Sequence, residues 1–305
     1  VAVFDITVNA GTLVTAIANA VVLTMIPLVS TFFGERNRGS MRQSLKLSLV
    51  YGISITAVFS GSLIFFARGY CGVFGVTESN LSIGSYAMQM YMLSIIIACV
   101  SSIISAYLQN TGLEKYSYII MGLRGLFVLL PCGLLLSMGG YRLFWLCYPI
   151  TEAFVLLVTG VFYLFVKLSG KSLLKDFSGC HVFSETFSGT CEQISDTCER
   201  IQQFIENDGA SPRKAYFVSL AVDETCRLIA ENGNRLLLQL TLVNGHGEYT
   251  LHIRDNAKQD FNPFDIDEND DKGLGLKIIK NQAKHFYYRR FVGYNTLTVV
   301  FEGGK

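Results

Sequence analysis

Charge is scarce in the first half of this chain. Of 305 residues, 25 are basic and 24 acidic, yet only 14 of those 49 fall within residues 1–168. A water-exposed globule of that size needs far more polar surface, so the first half does not read as a soluble domain. No strongly basic face stands out either, which excludes nucleic acid as a partner. Metal-site spacing is missing too. The eight cysteines form no CxxC pair and the four histidines no HxxxH pair, so no zinc or other metal site is expected. Cys71, Cys99, Cys132 and Cys147 lie in or beside apolar runs, where cysteine acts as a small hydrophobe. Cys191 and Cys198 sit two turns apart on one expected helix, too far to bridge. All eight are expected as buried, reduced thiols of a cytoplasmic compartment. No charged n-region or cleavage site precedes the first apolar run. The chain opens on Val1, and an upstream segment is expected.

Five stretches have the roughly 20 apolar residues that a bilayer requires. They cover about residues 6–33, 47–67, 81–108, 118–138 and 143–166. Loop charge sets their orientation. Arg36, Arg38, Arg42 and Lys46 follow the first span, Lys115 the third, and Lys167, Lys171 and Lys175 the fifth. The alternate loops carry only Arg68 and Arg142. The basic side, with everything after Lys167, is expected in the cytoplasm of a multi-pass cell-membrane protein. An odd number of spans then places Val1 outside.

Two ionisable residues fall inside spans. Arg124 is close enough to the cytoplasmic end to snorkel. Glu152 lies about a third of the way along the last span. It marks a cavity, proton or cation site, or else a carboxylate that reaches the outer interface. Asn9 and Asp5 are weaker candidates of the same kind.

The order of several short motifs resembles the multidrug and toxic compound extrusion (MATE) transporter family. Ile26-Pro27-Leu28-Val29-Ser30 running to Gly34-Glu35-Arg36-Asn37 looks like the end of a second helix and its loop. Leu108-Gln109-Asn110-Thr111-Gly112 with Lys115, Arg124 and Pro131 looks like the fourth-to-fifth helix connection. Trp145, Pro149 and Glu152 resemble the start of the last helix. The resemblance covers residues 1–168 and implies five helices of one six-helix lobe. It further implies membrane lipid as surroundings, a small-molecule or cation substrate, and transport roles for Glu152 and Asn9. A complete member has twelve helices in two lobes.

Residues 169–183 read as a polar linker and residues 184–305 as a soluble α/β domain. Gly170-Lys171-Ser172 mimics a P-loop tail, but Phe165 stands where the leading glycine belongs. Phe187, Cys191, Ile194, Cys198, Ile201 and Ile205 recur at steps of three and four, predicting an amphipathic helix. That stripe can pack on its own domain, the commoner outcome, or on a second copy. Ser211-Pro212 opens a second helix running to about Glu231. Strands are predicted at 237–243 and 249–253, a helix at 273–285, and strands at 286–290 and 296–301. The acidic run Asp265, Asp267, Asn269 and Asp271 mimics a calcium loop, but Lys272 and Ile278 occupy its glycine and glutamate positions.

This plan, an α/β two-layer sandwich, carries motifs that resemble the GHKL (Bergerat-type) ATP-binding fold of gyrase, sensor histidine kinases and anti-sigma factor serine kinases. Leu220-Ala221-Val222-Asp223-Glu224-Thr225-Cys226 is similar to the N box, which implies Glu224 as catalytic base toward a serine or threonine. Asp255, closing Leu251-His252-Ile253-Arg254, matches the aspartate that binds the adenine amino group. Gly273-Leu274-Gly275 matches the second glycine box, whose backbone N–H groups meet phosphate. The resemblance thus implies ATP held by Asp255, Gly273 and Gly275. Mg2+ is implied as well, but Leu228 stands where its asparagine belongs, and Asn232, a further turn on, is the only substitute. Ala257 replaces the glycine that follows the aspartate by two residues. Phe261-Asn262-Pro263 is similar to the anti-sigma branch, and no histidine sits beside a dimerisation helix. The implied partner is therefore a regulatory protein, a sigma factor or its antagonist. Three readings stay open: an ATP-binding regulatory domain with serine/threonine kinase activity, an antiporter bearing a non-catalytic, inert or protein-binding appendage, or a binding module that titrates a sigma factor or its antagonist without catalysis.

Overall fold

The computed structural model describes residues 2–169, 179–231, 236–245, 247–258, 262, 265, 274–291 and 293–302. The chain forms two compact units.

The membrane unit contains α1 (Ala2–Gly34), α2 (Arg38–Phe65), α3 (Ala67–Val73), α4 (Glu78–Gln109), α5 (Glu114–Gly122), a π-helical turn (Leu123–Phe127), α6 (Leu129–Ser137), α7 (Tyr141–Phe144) and α8 (Cys147–Leu168). Five helical stretches are long and apolar enough to cross a membrane. With 33 residues, α1 reaches about 50 Å, more than the ~30 Å hydrocarbon core. The usual arrangement of side chains is inverted here. Leu13, Leu134, Leu135 and Phe165 point outward, whereas Ala10, Val14, Ala18 and Ala87 are buried. Lipid is as apolar as leucine, so small residues that let backbones approach occupy the contacts instead. Gly11 shows this, because a Cβ there would fall 2.2 Å from the Tyr91 ring. Helix α4 is the hub, packing against α1, α2, α5 and α8. The fourth span is interrupted where Val128 N–H bonds to the Leu123 carbonyl, five residues back.

The soluble unit contains β1 (His181–Ser188), α9 (Cys191–Asn207), α10 (Pro212–Glu231), β2 (Leu237–Gly245), β3 (Glu248–Asp255), α11 (Leu274–Gln282), β4 (His285–Phe291) and β5 (Tyr294–Glu302). The five strands form an antiparallel sheet in the order β1-β2-β3-β5-β4. Alternation decides which side chains meet the helices. Leu238, Leu240 and Leu242 of β2, Tyr249, Leu251 and Ile253 of β3, and Leu297, Val299 and Phe301 of β5 all enter one core. They meet Ile194, Ile201 and Ile205 of α9, Val218, Val222 and Ile229 of α10, and Leu276 and Ile279 of α11.

Strand β1 differs from the sequence reading. Phe187 was expected on the first helix, but it lies on β1 opposite Leu238. The step of four from Phe187 to Cys191 fits a helix and a strand-to-cap transition equally well. Thr190 decides the matter, because its side chain accepts from Gln193 N–H and starts α9 only at Cys191. Cys191 is accordingly exposed, not buried as expected, whereas Cys198 and Cys226 are buried. All eight cysteines are free thiols.

Candidate functional site

Strand β3 places Asp255 in the series Tyr249, Leu251, Ile253, Asp255, so a carboxylate occupies a core position. It is 3% exposed. Two neutral donors converge on Oδ1, the Ala257 backbone N–H and Asn295 Nδ2, each at 2.9 Å. Among the described residues no donor reaches Oδ2. Burial raises the carboxyl above its ordinary range, partly offset by those bonds and by the nearby Arg290 guanidinium. Asn295 faces Asp255 directly across the β3–β5 pair. Its own Oδ1 accepts from the Tyr288 hydroxyl of β4 at 2.9 Å.

The second part of the site joins α10 to α11. A Cβ on Gly275 would fall 2.6 Å from Glu224 Cδ, so the absence of a side chain admits the Glu224 carboxylate against the first turn of α11. The partial positive charge of that helix end favours a carboxylate there. Beside it, Asp223 pairs with Arg227 one turn on, at 2.8 Å. Leu228 is buried in the core cluster and offers no oxygen to a cation. Gly273, Asn232, Phe261 and Pro263 lie outside the described residues. The described residues therefore fit the adenine end of a nucleotide. They do not fit a magnesium ion held from the Leu228 position.

The membrane unit holds one more charged constellation. Arg124 does not snorkel. Its Nε donates to Glu152 Oε1 at 2.5 Å and its guanidinium to Ser102 Oγ at 2.7 Å. Ser101 Oγ donates to the other Glu152 oxygen at 3.3 Å. The π-helical turn carries Arg124, and α8 and α4 supply the partners. An unpaired carboxylate is costly in an apolar core, and a guanidinium one helix away is the nearest remedy. Asn9 is exposed on α1.

Sequence reasoning named Asp255, Glu224 and Gly275 but missed Asn295, Tyr288, Ser101 and Ser102. The signal for Asn295 was available, because it opens the apolar alternation Leu297, Val299, Phe301 as a polar residue in core phase.

These two constellations define a class: a helical membrane protein carrying a soluble α/β domain with a buried carboxylate in its sheet. The families are specific. Residues 187–301 match the family described as histidine kinase-like ATPase domain, and residues 1–134 match MatE. The chain is thus a multi-pass membrane protein that joins a MATE-like segment to a histidine kinase-like, ATP-binding type of domain. A solved MATE protein in complex with MaL6 superposes with a TM-score of 0.50 at 17% identity. The match covers 55% of this chain and 39% of that one, so the chain spans well under half of that relative. No curated protein matches.

Proposed function

We propose that the soluble unit is a nucleotide-responsive regulatory domain facing the cytoplasm, whose ATP state reports on or adjusts the membrane segment. The observation that carries this reading is Asp255, a core-phase carboxylate with two neutral donors on one oxygen and, among the described residues, none on the other. The adenine amino group is the donor that this oxygen suits, while Gly275, in the first turn of α11, brings a backbone N–H group to the phosphates. When bound, ATP supplies a transferable phosphoryl group. Glu224, held at the start of α11, is placed to take a proton from a serine or threonine hydroxyl of a regulatory partner of the sigma-factor or antagonist kind. Leu228 gives magnesium no oxygen, so nucleotide binding outweighs phosphoryl transfer, and Mg2+ adds little to affinity.

The buried Leu228 side chain also favours a second reading, an antiporter with a non-catalytic, protein-binding appendage. In both readings the Arg124–Glu152 pair serves the membrane half, as a place where a proton or cation competes with a guanidinium for one carboxylate. The basic loops after the first, third and fifth spans support the cytoplasmic placement.

Calorimetric titration of the full chain in detergent with ATP, with and without magnesium, tests the proposal. Binding that Asp255→Ala abolishes supports a nucleotide-responsive domain. Silence at millimolar ATP rejects it in favour of the appendage.

A further inference from the structure

We infer that Arg124 is the binding group for a small organic carboxylate, taken up together with a proton that Glu152 receives. The inference rests on the reading of this pair as a place where a proton competes with the guanidinium, and it is independent of nucleotide binding.

The hydrogen bonds at the pair are unevenly filled. Both Glu152 oxygens have a donor, Arg124 Nε on Oε1 and Ser101 Oγ on Oε2. A guanidinium carries five N–H donors. Among the described residues, one goes to Glu152 and one to Ser102 Oγ, and Nη2 makes no hydrogen bond. Nη1 and Nη2 end in a planar fork that matches the two oxygens of a carboxylate. Exposure is uneven in the same sense, 29% for the Arg124 side chain and 11% for that of Glu152. What the pair still offers a ligand is therefore mainly donor. Arg124 lies ten residues into the span Glu114–Ser137, and Glu152 eleven into Tyr141–Phe165. At about 1.5 Å per residue both sit roughly 15 Å from the start of their span, near the middle of a ~30 Å core. At that depth an exposed charge is tolerated where it faces a water-filled cavity rather than lipid.

Charge accounting decides what enters. A cation on Glu152 would displace the guanidinium and leave it unpaired beside a second positive charge. A proton alone would leave it unpaired too. Either state keeps an uncompensated charge in apolar surroundings, the costly outcome. A proton together with an anion leaves none. The proton comes from solution and neutralises Glu152, the ion pair opens, and the anion takes the vacated place on Arg124. One positive and one negative charge enter, so the net charge of the site is unchanged. Proton and anion then raise each other's affinity by the same factor. Ser101 can turn its hydroxyl to accept from the protonated acid, while Ser102 keeps its bond to the guanidinium. The elements packed on this stretch of α8 bring no rival charge. Helix α4 presents Tyr91 and Cys99 within electrostatic reach of Arg124, and α6 has Cys132 as its one titratable residue. Phenols and thiols are neutral at neutral pH by their ordinary values.

The test is calorimetric titration of the full chain in neutral detergent with benzoate and with benzylammonium, an anion and a cation of similar size. Benzoate is expected to bind wild type more tightly at acidic than at alkaline pH, across a range in which benzoate itself stays ionised. Heats in two buffers of different ionisation enthalpy should show uptake of about one proton per benzoate. Glu152→Gln, neutral at every pH, should bind benzoate roughly tenfold more tightly than wild type at neutral pH and take up no proton. The double variant Arg124→Met with Glu152→Met keeps an apolar pair at the site and should not bind benzoate. Benzoate binding that survives in the double variant, or that is absent from wild type and Glu152→Gln alike, overturns the inference. Benzylammonium bound in preference, and lost in Glu152→Gln, overturns the anion and leaves the pair as a cation site. Benzoate bound without proton uptake overturns the exchange, and with it the proton reading of the pair. Displacement of benzoate by phosphatidylglycerol added to the micelles would assign the site to a lipid headgroup and overturn a soluble ligand.

Discussion

Each half of the molecule buries a carboxylate within its packing, and Glu152 and Asp255 are handled in opposite ways. Glu152 in the membrane unit is closed by charge, with a guanidinium on one oxygen and a serine hydroxyl on the other. Asp255 in the soluble unit is held open by neutral donors, both on the same oxygen. Where surrounding lipid cannot solvate a charge, the protein supplies its own countercharge. On the proposed reading a ligand supplies the partner of Asp255, and the neutral frame keeps the carboxylate fixed to receive it. A buried acid is therefore read by which groups meet each of its oxygens, as much as by its exposure.

The sharpest way to break the comparison is to remove the countercharge. Arg124→Ala leaves Glu152 buried and uncompensated, and should cost about 3–5 kcal/mol of stability in the purified full chain. The double variant Arg124→Met with Glu152→Met should recover most of that loss, because a well-packed apolar pair replaces a buried ion pair at little cost. Thermal unfolding in detergent reads both. A single variant as stable as wild type would mean that the guanidinium does not compensate the carboxylate.

Asp255→Asn should do the reverse, removing function and sparing the fold. The amide oxygen can still accept from Ala257 and Asn295, but the NH2 group now faces the adenine amine. ATP affinity should fall roughly 10- to 100-fold. Stability at neutral pH should hold or rise, because burial raises the Asp255 carboxyl and so penalises its ionised form. That penalty is absent below the ordinary carboxylate value of about 3.9 and is felt in full above the raised value. Wild type should therefore lose stability relative to Asp255→Asn as pH rises through that window. Melting temperatures across pH check the sign, and a wild type that gains on the variant with rising pH would refute it.

Gly275→Ala probes the contact between α10 and α11 with a smaller effect. The clash is with the far end of a flexible glutamate, and alanine is the better helix former by about 1 kcal/mol. Net stability should stay within about 1 kcal/mol of wild type, with Glu224 displaced from α11. Adding Glu224→Ala should then make the chain at least as stable as wild type. A large loss that Glu224→Ala does not relieve would place the tight contact elsewhere.

Most of the architecture was legible because periodicity and charge are local. The five spans, α10, α11 and four of the strands follow from runs and alternations read within a dozen residues. The misses share one cause: each depends on a partner distant in sequence. The edge strand β1 is defined by pairing with β2, about 50 residues on, and its own spacing also suits a helix. Arg124 looked like a snorkelling residue because Glu152 lies 28 residues away on another helix. Tyr288 has a meaning only once β4 lies beside β5 and its hydroxyl reaches Asn295.

Helix α9 offers the mildest test of how the soluble half separates inside from outside. Cys191 and Cys198 share one predicted stripe, yet the cap at Thr190 leaves the first exposed while the second enters the core. Burial, and then the Asp223 carboxylate, push the Cys198 thiol up to about 12. The buried Cys226 thiol is raised as well. A thiolate is the reactive species, so at neutral pH both core thiols combine low access with a vanishing reactive fraction. Maleimide labelling of the native full chain, read by peptide mass, should modify Cys191 at least roughly tenfold faster than Cys198 or Cys226. Unfolding in denaturant should remove the difference. Equal native rates would mean that α9 starts earlier and rotates its stripe, returning Phe187 to the helix and removing β1 from the sheet.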